Sequence, residues 1–272
     1  MNVDYLSDIH IDFWVEYNAP EYVQEKQIED FVSKIIPKTP SKILIIAGDI
    51  GHHNDQNLIL FKTFKKYYDN IYFLEGNHDL YIISKKDLLK YSNNSYNRLK
   101  EMIEMSSTIS GVQYLNGVVE IEGKKIGGFP MWYDNSYGVE VCGRSPIFMH
   151  QLWKRYMADS NYIHPKLDWL EYCELHKTFL KNNFEQCDLI FSHVSPDWSH
   201  LVPHYQNDPT SSFFHFDGRE ILKKCNGKTW VHGHTHTKYN HYTESGCHML
   251  CNPFGYPGEK NFENFSINTL TI

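Results

Sequence analysis

Five short polar clusters carry the side chains of this sequence that are best suited to chemistry. Between them they offer carboxylate, imidazole and amide groups, a set of donors that suits Mn²⁺, Fe or Zn²⁺ better than a soft metal ion. In chain order the clusters are Ser7-Asp8-Ile9-His10, Gly48-Asp49, Gly76-Asn77-His78-Asp79, Ser192-His193 and Gly233-His234-Thr235-His236. The sequence therefore predicts a metal site assembled from distant parts of the chain.

The spacing inside two clusters predicts pairs of side chains that face the same way. In an extended segment, residues i and i+2 lie on one side, about 6–7 Å apart. The pairs Asp8/His10 and His234/His236 can then each serve one metal ion or straddle two. Asp49 has two carboxylate oxygens with which to bridge two cations, and Asn77 offers a neutral carbonyl ligand.

A short apolar run precedes each cluster and predicts the strand that positions it. The runs cover residues 3–6, 42–47, 71–74, 188–192 and 229–232. In open α/β sheets, ligands bind where the carboxyl ends of the strands meet their loops. We therefore expect five strand ends to bring the polar side chains to one crevice.

The rest of the chain predicts further alternation of helices and strands in one domain of residues 1–272. Apolar residues at helical spacing predict helices over 22–36, 58–68, 167–184 and 218–224. Antiparallel strands are predicted over 112–114, 118–120 and 125–129, and later strands over 247–251 and 265–272. Residues 131–165 have many aromatic residues and no clean period, so we interpret them as a surface insert or cap.

Composition excludes several classes of function. The 272 residues are 41% hydrophobic and 22% charged, which allows a globular core, and no run approaches the ~20 apolar residues of a membrane span. The formal net charge of −7 disfavours long duplex nucleic acid as a partner. The first residues lack the pattern of a signal peptide, so we expect a cytoplasmic protein with reduced cysteines.

In their order, D-x-H, G-D, G-N-H-D, S-H and G-H-T-H resemble the five blocks of the calcineurin-like metallophosphoesterases. The resemblance runs from Asp8 to His236, and Asn252-Pro253 resembles the family's usual tail. It implies an α/β fold, a four-layer sandwich of two mixed β-sheets flanked by helices, with a dinuclear metal centre at the strand ends. It implies Asp8, His10, Asp49 and His236 around the first metal ion, and Asp49, Asn77, His193 and His234 around the second.

The resemblance also implies a catalytic histidine. His78 matches the histidine that assists departure of the leaving group, and His52 resembles a histidine that accompanies it in the repair-nuclease branch. A surface turn residue is the alternative for His52. Asp79 or His52 would orient His78, unless Asp79 caps the following helix. In the expected reaction, a hydroxide between the two cations attacks phosphorus while protonated His78 donates to the leaving oxygen.

We therefore expect a metal-dependent phosphoesterase acting on a small or nucleotide-like phosphate mono- or diester. Two divalent ions are expected, with Mn²⁺ first and Fe or Zn²⁺ as alternatives. A nuclease acting on nucleic acid ends or single strands, and a non-catalytic metal-binding scaffold, are the competing hypotheses. The second block lacks the second Asp and the Arg of G-D-x-x-D-R-G, so protein phosphatase activity is not expected. Nothing in the sequence predicts the oligomeric state or the substrate-binding residues within 131–165 and 195–216.

Overall fold

A computed structural model describes residues 1–259, 262 and 265–272, and the strands among these residues form two mixed sheets. The first sheet has the order β11-β1-β2-β3-β4, from β1 (Asn2–Leu6), β2 (Ile43–Ala47), β3 (Asn70–Leu74), β4 (Val112–Tyr114) and β11 (Asn268–Thr271). The second has the order β5-β6-β7-β8-β10-β9, from β5 (Gly117–Ile121), β6 (Lys124–Gly128), β7 (Leu189–Phe191), β8 (Thr229–His232), β9 (Tyr239–Tyr242) and β10 (His248–Cys251). Within each sheet the central strands are parallel, so their carboxyl ends lie at one edge.

Helices cover the outer faces of the sheets. Among the described residues the α-helices are α1 (Glu21–Ile35), α2 (Asn54–Phe64), α3 (Lys85–Lys90), α4 (Ser95–Ser107), α5 (Pro146–Tyr156), α6 (Asp159–Tyr162), α7 (Trp169–Asn183) and α8 (Arg219–Leu222). No helix among these residues has the length and apolar character needed to cross a membrane. A cytoplasmic location stays a prediction.

Strand β2 shows how the sequence builds the layers. Ile45 and Ala47 lie in a core between the two sheets, where Phe191 of β7 also packs. Leu44 and Ile46 point the other way, into the core beneath the helices. Because both faces of the strand are buried, it reads as an unbroken apolar run. The four-layer sandwich expected from the sequence is confirmed.

The prediction for residues 112–114 is wrong in its pairing. Strand β4 pairs in parallel with β3 in the first sheet and forms no antiparallel hairpin with β5. The backbone N–H of Leu115 extends the ladder to the carbonyl of Phe73, at 2.8 Å, and its side chain is buried between the sheets. The turn signal at Asn116-Gly117 therefore marks the crossing into the second sheet. The hairpin predicted beyond it, β5 with β6, is present.

Polar elements were the hardest to predict. Helix α4 was missed because its buried face includes Ser95, Arg98 and Ser106, which break the apolar period. Helix α2 begins at Asn54 and not at residue 58, since its first turn buries amide side chains. Strand β9 was missed because it is a half-exposed edge strand.

Residues 131–165 are anchored in the core at their start and run outward from there. Met131, Trp132 and Tyr133 are buried, and Trp153 of α5 stacks on Trp169 of α7 with ring centroids 5.9 Å apart. Ile147 and Tyr156 on α5 are exposed. The buried rings of Trp132, Tyr133 and Trp153 therefore pack in the main core, and the assignment of this segment as a surface insert or cap stays a prediction.

Candidate metal centre

The predicted ligands all lie two to four residues beyond the carboxyl ends of parallel strands. They come from both sheets: from β1, β2 and β3 in the first and from β7 and β8 in the second. The side chains concerned are those of Asp8, His10, Asp49, Asn77, His193, His234 and His236. The structure thus brings these candidates together, while the binding of metal by them stays a prediction.

The backbone at five of the seven predicted ligands is left-handed, and the extended geometry expected for the D-x-H and H-T-H pairs is wrong. Asp8, His10, Asp49, His234 and His236 have φ values of 52°, 47°, 55°, 65° and 49°. Such values are rare for residues other than glycine and cost about 1–3 kcal/mol each. Backbone hydrogen bonds from Asp8 to Gly48 and from His10 to Asp49, at 3.0 and 3.1 Å, hold the loops in this form. Strain of this kind concentrates at functional sites.

A first group of possible ligand atoms belongs to Asp8, His10 and His236, which all lie within 4.8 Å of one another. The two Nε2 atoms of His10 and His236 are 3.2 Å apart, and Nε2 of His236 is 3.6 Å from Oδ1 of Asp8. Ligands about 2.1 Å from one cation are separated by about 3.0–3.4 Å in octahedral or tetrahedral geometry. The separations and the donor types therefore fit a divalent cation.

A second group adjoins the first and contains Asp49, His193 and His234, again within 4.8 Å of one another. Nε2 of His193 is 3.5 Å from Oδ2 of Asp49 and 3.1 Å from Oδ1 of Asn77. The nitrogen and oxygen donors, with the neutral amide oxygen among them, fit the same class of cation.

Asp49 joins the two groups through one oxygen. Its Oδ2 lies 3.7 Å from Nε2 of His10 in the first group and 3.5 Å from Nε2 of His193 in the second. Its Oδ1 accepts the backbone N–H of His78 at 2.8 Å. The sequence suggested bridging by both oxygens, but the structure leaves only Oδ2 facing both groups. Gly48 is required beside it, because φ is 86° there and a Cβ would lie 2.5 Å from Nδ1 of His193.

In most of the predicted histidine ligands, the ring nitrogen that faces away from the centre has a hydrogen-bond partner that orients the ring. Nδ1 of His193 faces the carbonyl of Ala47 at 2.9 Å, and Nε2 of His234 faces that of Phe213 at 2.8 Å. Nδ1 of His236 faces Oε2 of Glu259 at 2.7 Å. Among the described residues, Nδ1 of His10 has no hydrogen-bond partner. Such outer bonds fix the tautomer and aim the other ring nitrogen at a metal.

Asp159 orients the amide of Asn77 and was not predicted. Nδ2 of Asn77 donates to Oδ1 of Asp159 at 2.9 Å and to the hydroxyl of Tyr81 at 3.0 Å, which leaves Oδ1 facing His193. Tyr133 also donates to the buried carboxylate. The sequence offered no signal, because Asp159 is a lone acid in the aromatic segment, 82 residues from Asn77.

His52 connects Asp12 to His78 through polar contacts on both sides of its ring. Nδ1 of His52 lies 2.7 Å from Oδ2 of Asp12, and Nε2 of His52 lies 2.9 Å from Nδ1 of His78. Although burial alone would raise it, contact with His52 lowers the pKa of Asp12 to about 2. His52 is therefore no free surface residue. Asp12, two residues after His10, was not predicted.

The other face of His78 borders the hydroxyl of Tyr256, 3.0 Å from Nε2. Burial lowers the pKa of His78 to about 4, although Asp49 opposes the change. The ring is therefore neutral at neutral pH in the free protein. The protonated form expected from the sequence requires added negative charge, such as a substrate phosphate.

Asp79 accepts hydrogen bonds from the backbone of the site, and its carboxylate makes no hydrogen bond to the His78 ring. Its carboxylate accepts the N–H groups of Asp49, Ile50 and Gly76 at 2.8, 3.1 and 2.8 Å. The buried Arg98 donates to the carbonyls of the neighbouring loop residues, Gly51 and His52 among them. Of the two residues suggested to orient His78, the structure thus places His52 in contact with it.

An open cavity of about 350 Å³ leads to the site. Besides predicted ligands and His78, aromatic side chains and one acid line it: Tyr81, Tyr156, Tyr205, Phe214, Tyr256 and Glu259. Tyr156 comes from the predicted cap and Tyr205 from the segment 195–216. None of the described residues lining the cavity is a lysine or arginine.

Comparison with known proteins gave a family and several relatives. A model of calcineurin-like phosphoesterases matches residues 1–238. An uncharacterized protein of Acanthamoeba polyphaga mimivirus is 24% identical over 273 residues, which cover 94% of this chain and 92% of that protein.

Solved structures are similar to this chain in fold. Phosphopantetheinyl hydrolase from Mycobacterium tuberculosis has a TM-score of 0.66 and 18% identity, over 95% of this chain and 90% of that one. The protein TT1561 of Thermus thermophilus has a TM-score of 0.50 and 9% identity, over 94% of this chain and 89% of that one. At these identities the likeness supports the architecture described above.

Proposed function

Since the chain belongs to the calcineurin-like phosphoesterase family, we propose that it holds two divalent cations and uses them to hydrolyse a small or nucleotide-like phosphate ester. The observation that carries the proposal is the position of Asp49, whose Oδ2 faces His10 on one side and His193 on the other. A carboxylate oxygen between two sets of nitrogen and oxygen ligands is what two divalent cations would need if they shared one ligand. Mn²⁺ is the first candidate, and Zn²⁺ or Fe also fits the donors.

Bound at this position, such cations would lower the pKa of water toward neutrality and would offset the charge of the phosphate. The chain contributes the arrangement of the ligands. Asp49 and Asp8 supply the anionic charge, and the backbone N–H groups of His78 and His234 fix their carboxylates at 2.8 and 3.0 Å. The ligand set therefore needs little rearrangement when substrate arrives.

His78 is the proposed general acid for the leaving oxygen. Its Nδ1 is held by His52, which is held in turn by Asp12, and the Nε2 atom points toward Tyr256 at the cavity. A substrate phosphate next to His78 would raise its pKa from the low value that burial imposes. Asp12 and His52 act as positioning residues that stabilise the positive charge on the histidine pair.

The cavity favours a small substrate over a nucleic acid. A space of about 350 Å³ fits a compact phosphate ester, and its tyrosine and phenylalanine rings suit an apolar or aromatic leaving group. Nucleic acid binding depends on lysine and arginine at the phosphates, and the described lining residues include neither. The contact of His52 with His78 is the observation that keeps a nuclease as the second candidate.

The test is a substrate screen on purified protein with the metal identity controlled. Chromogenic phosphate mono- and diesters, nucleotides, phosphopantetheinyl esters and short oligonucleotides are compared with Mn²⁺, Zn²⁺ and after chelation. We expect hydrolysis of a small ester that chelation abolishes. A preference for oligonucleotides would favour the nuclease, and metal binding without any hydrolysis would favour a scaffold.

A variant at His78 separates catalysis from metal binding. His78→Ala is expected to lower kcat by roughly 10²-fold, within the usual range for loss of a general acid, while the metal content stays the same. Asp30→Asn, on the exposed side of α1, is the matched control. Loss of metal in His78→Ala would show that its role has been misassigned.

A further inference from the structure

Asp197, His200 and His241 form a third group of possible metal ligands, made of residues that the candidate centre does not use. One ligand atom from each lies within 4.8 Å of the others. Nε2 of His241 is 3.2 Å from Oδ2 of Asp197, and Nδ1 of His200 is 3.8 Å from the same oxygen. Both imidazoles therefore direct a nitrogen at one carboxylate oxygen.

The three side chains come from two separate parts of the chain. Asp197 and His200 belong to the segment that follows β7, whereas His241 lies on β9 at the edge of the second sheet. The rings of His200 and His241 are stacked, with centroids 3.6 Å apart and planes inclined by 27°. The tertiary fold, and not local sequence, produces this cluster.

The carboxylate of Asp197 is already ionised and held in place. Its Oδ1 accepts the backbone N–H of Ser199 at 2.9 Å, which turns Oδ2 toward the two rings. Although burial alone would raise it, hydrogen bonding to His241 lowers the pKa of Asp197 to about 2. The Ser199 hydroxyl lies 2.8 Å from both Oδ2 of Asp197 and Nδ1 of His200. It is thus close enough to act as a further oxygen ligand.

We propose that Asp197, His200 and His241 bind one transition-metal cation, for which Zn²⁺ is the best match, and that this cation ties the segment after β7 to the edge strand β9. Two imidazoles and one carboxylate are a common ligand set for Zn²⁺ that leaves a position open. His200 is 46% exposed, so solvent can reach that position. The proposal concerns binding and does not rest on the proposed hydrolytic function.

The outer surroundings predict that this site is weaker than the candidate centre. Nδ1 of His241 is buried and, among the described residues, has no hydrogen-bond partner. A metal on Nε2 would place the ring proton on that unpaired atom, which costs part of the binding free energy. In the candidate centre, among the described residues, only Nδ1 of His10 shares this defect, whereas His193, His234 and His236 each have an acceptor at the outer ring nitrogen. We therefore expect the third cation to leave first on dialysis against a mild chelator.

Binding at this site would affect the wall of the cavity. Tyr205, which lines the cavity, is five residues beyond His200 on the same segment. Fixing Asp197 and His200 to β9 shortens the stretch of that segment that is free to move. The cluster would thus hold a structural cation on the segment that also supplies Tyr205 to the cavity.

The experiment counts bound Zn²⁺ on the full-length protein. Chelator-stripped wild type, His200→Ala and Asp197→Asn are each titrated with Zn²⁺, and the bound metal is measured after equilibrium dialysis. Wild type is expected to bind one equivalent more than either variant. With Co²⁺ as the probe, wild type should show visible absorption that the variants lack. His204→Ala, an exposed histidine of the same segment, is the matched control and should behave as wild type.

Two results would overturn the proposal. One is equal Zn²⁺ stoichiometry in wild type, His200→Ala and Asp197→Asn. The other is equal loss of the extra equivalent in His204→Ala, which would indicate non-specific binding by surface histidines. Because His200 is half exposed, its replacement is not expected to unfold the chain, and circular dichroism checks this. Phosphoesterase activity is not the readout, so failure here leaves the proposed function untouched.

Discussion

The candidate metal centre has a first half (Asp8, His10 and His236) and a second half (Asn77, His193 and His234), which share Asp49. The two halves use similar donors but differ in the hydrogen-bond partners that orient those donors. In the second half, His193, His234 and Asn77 are all buried and all held by interior partners, two of them backbone carbonyls. In the first half, Nδ1 of His10 has no hydrogen-bond partner among the described residues. Nδ1 of His236 contacts the carboxylate of Glu259, a side chain that is 42% exposed. Metal affinity depends on the outer hydrogen-bond partners of the ligands as well as on the ligands themselves. We expect the second half to bind its cation more tightly.

The largest effect is expected where the halves meet. Asp49→Asn removes the anionic oxygen that both halves share, so we expect loss of at least one bound cation and a roughly 10³-fold or greater fall in kcat. Elemental analysis and a phosphoesterase assay measure the two effects. The control is Asp30→Asn. Full turnover in Asp49→Asn would refute the shared role of this carboxylate.

A smaller effect is expected from removing one hydrogen-bond partner of a ligand in the second half. Asp159→Asn weakens the hold on the Asn77 amide, and we expect the metal affinity of the second half to fall by about 10–100-fold. Isothermal titration calorimetry with Mn²⁺ would resolve the change. Thermal unfolding of the metal-free variant must accompany it, because Asp159 is buried. Unchanged affinity in a stably folded variant would show that the outer carboxylate does not support this half.

The positioning residue Asp12 provides a contrast, because it supports His78 and belongs to neither half. Asp12→Asn is expected to lower kcat by about 10-fold with no change in metal content and little change in KM. The pH profile of kcat should also shift, since His52 would lose the negative charge beside it. A pH profile like that of wild type would mean that Asp12 has only a structural role.

The smallest effect is expected at the exposed partner of the first half. Glu259→Gln keeps a hydrogen-bond acceptor for His236 but removes the charge, and solvent screens that charge already. We expect a few-fold loss of affinity, confined to the weaker of two binding events in a Mn²⁺ titration. If Glu259→Gln lowered affinity more than Asp159→Asn did, the order of the two halves would be reversed.

The sequence predicted which polar side chains would lie at the strand ends because their signals are local and compound, while their role as metal ligands stays a prediction. Tetrapeptides such as Gly76-Asn77-His78-Asp79 follow apolar runs that can only be buried strands, and strand ends in parallel sheets share an edge. The left-handed backbone at Asp8 and His234 could not be predicted from propensity, since those conformations are imposed by neighbouring loops. The loop conformations that set the distances between these side chains therefore came only with the structure.

The acids that contact the predicted ligands and the histidine pair were not predicted, for a different reason. Asp12, Asp159 and Glu259 are single acids in unremarkable surroundings, and each meets its histidine or amide only through the tertiary fold. The polar helix α4 was missed likewise, because Arg98 and Ser106 occupy buried positions that pattern reasoning assigns to apolar residues. Contacts that depend on long-range packing could not be predicted from the sequence alone.

The pair of cations proposed around Asp49 can be tested by titrating metal-free protein with Mn²⁺ while hydrolysis is followed. We expect two binding events in this region, with hydrolysis appearing only as the second, weaker one is filled. Wild-type activity in metal-free protein, or full activity after a single equivalent, would show that no such pair is needed.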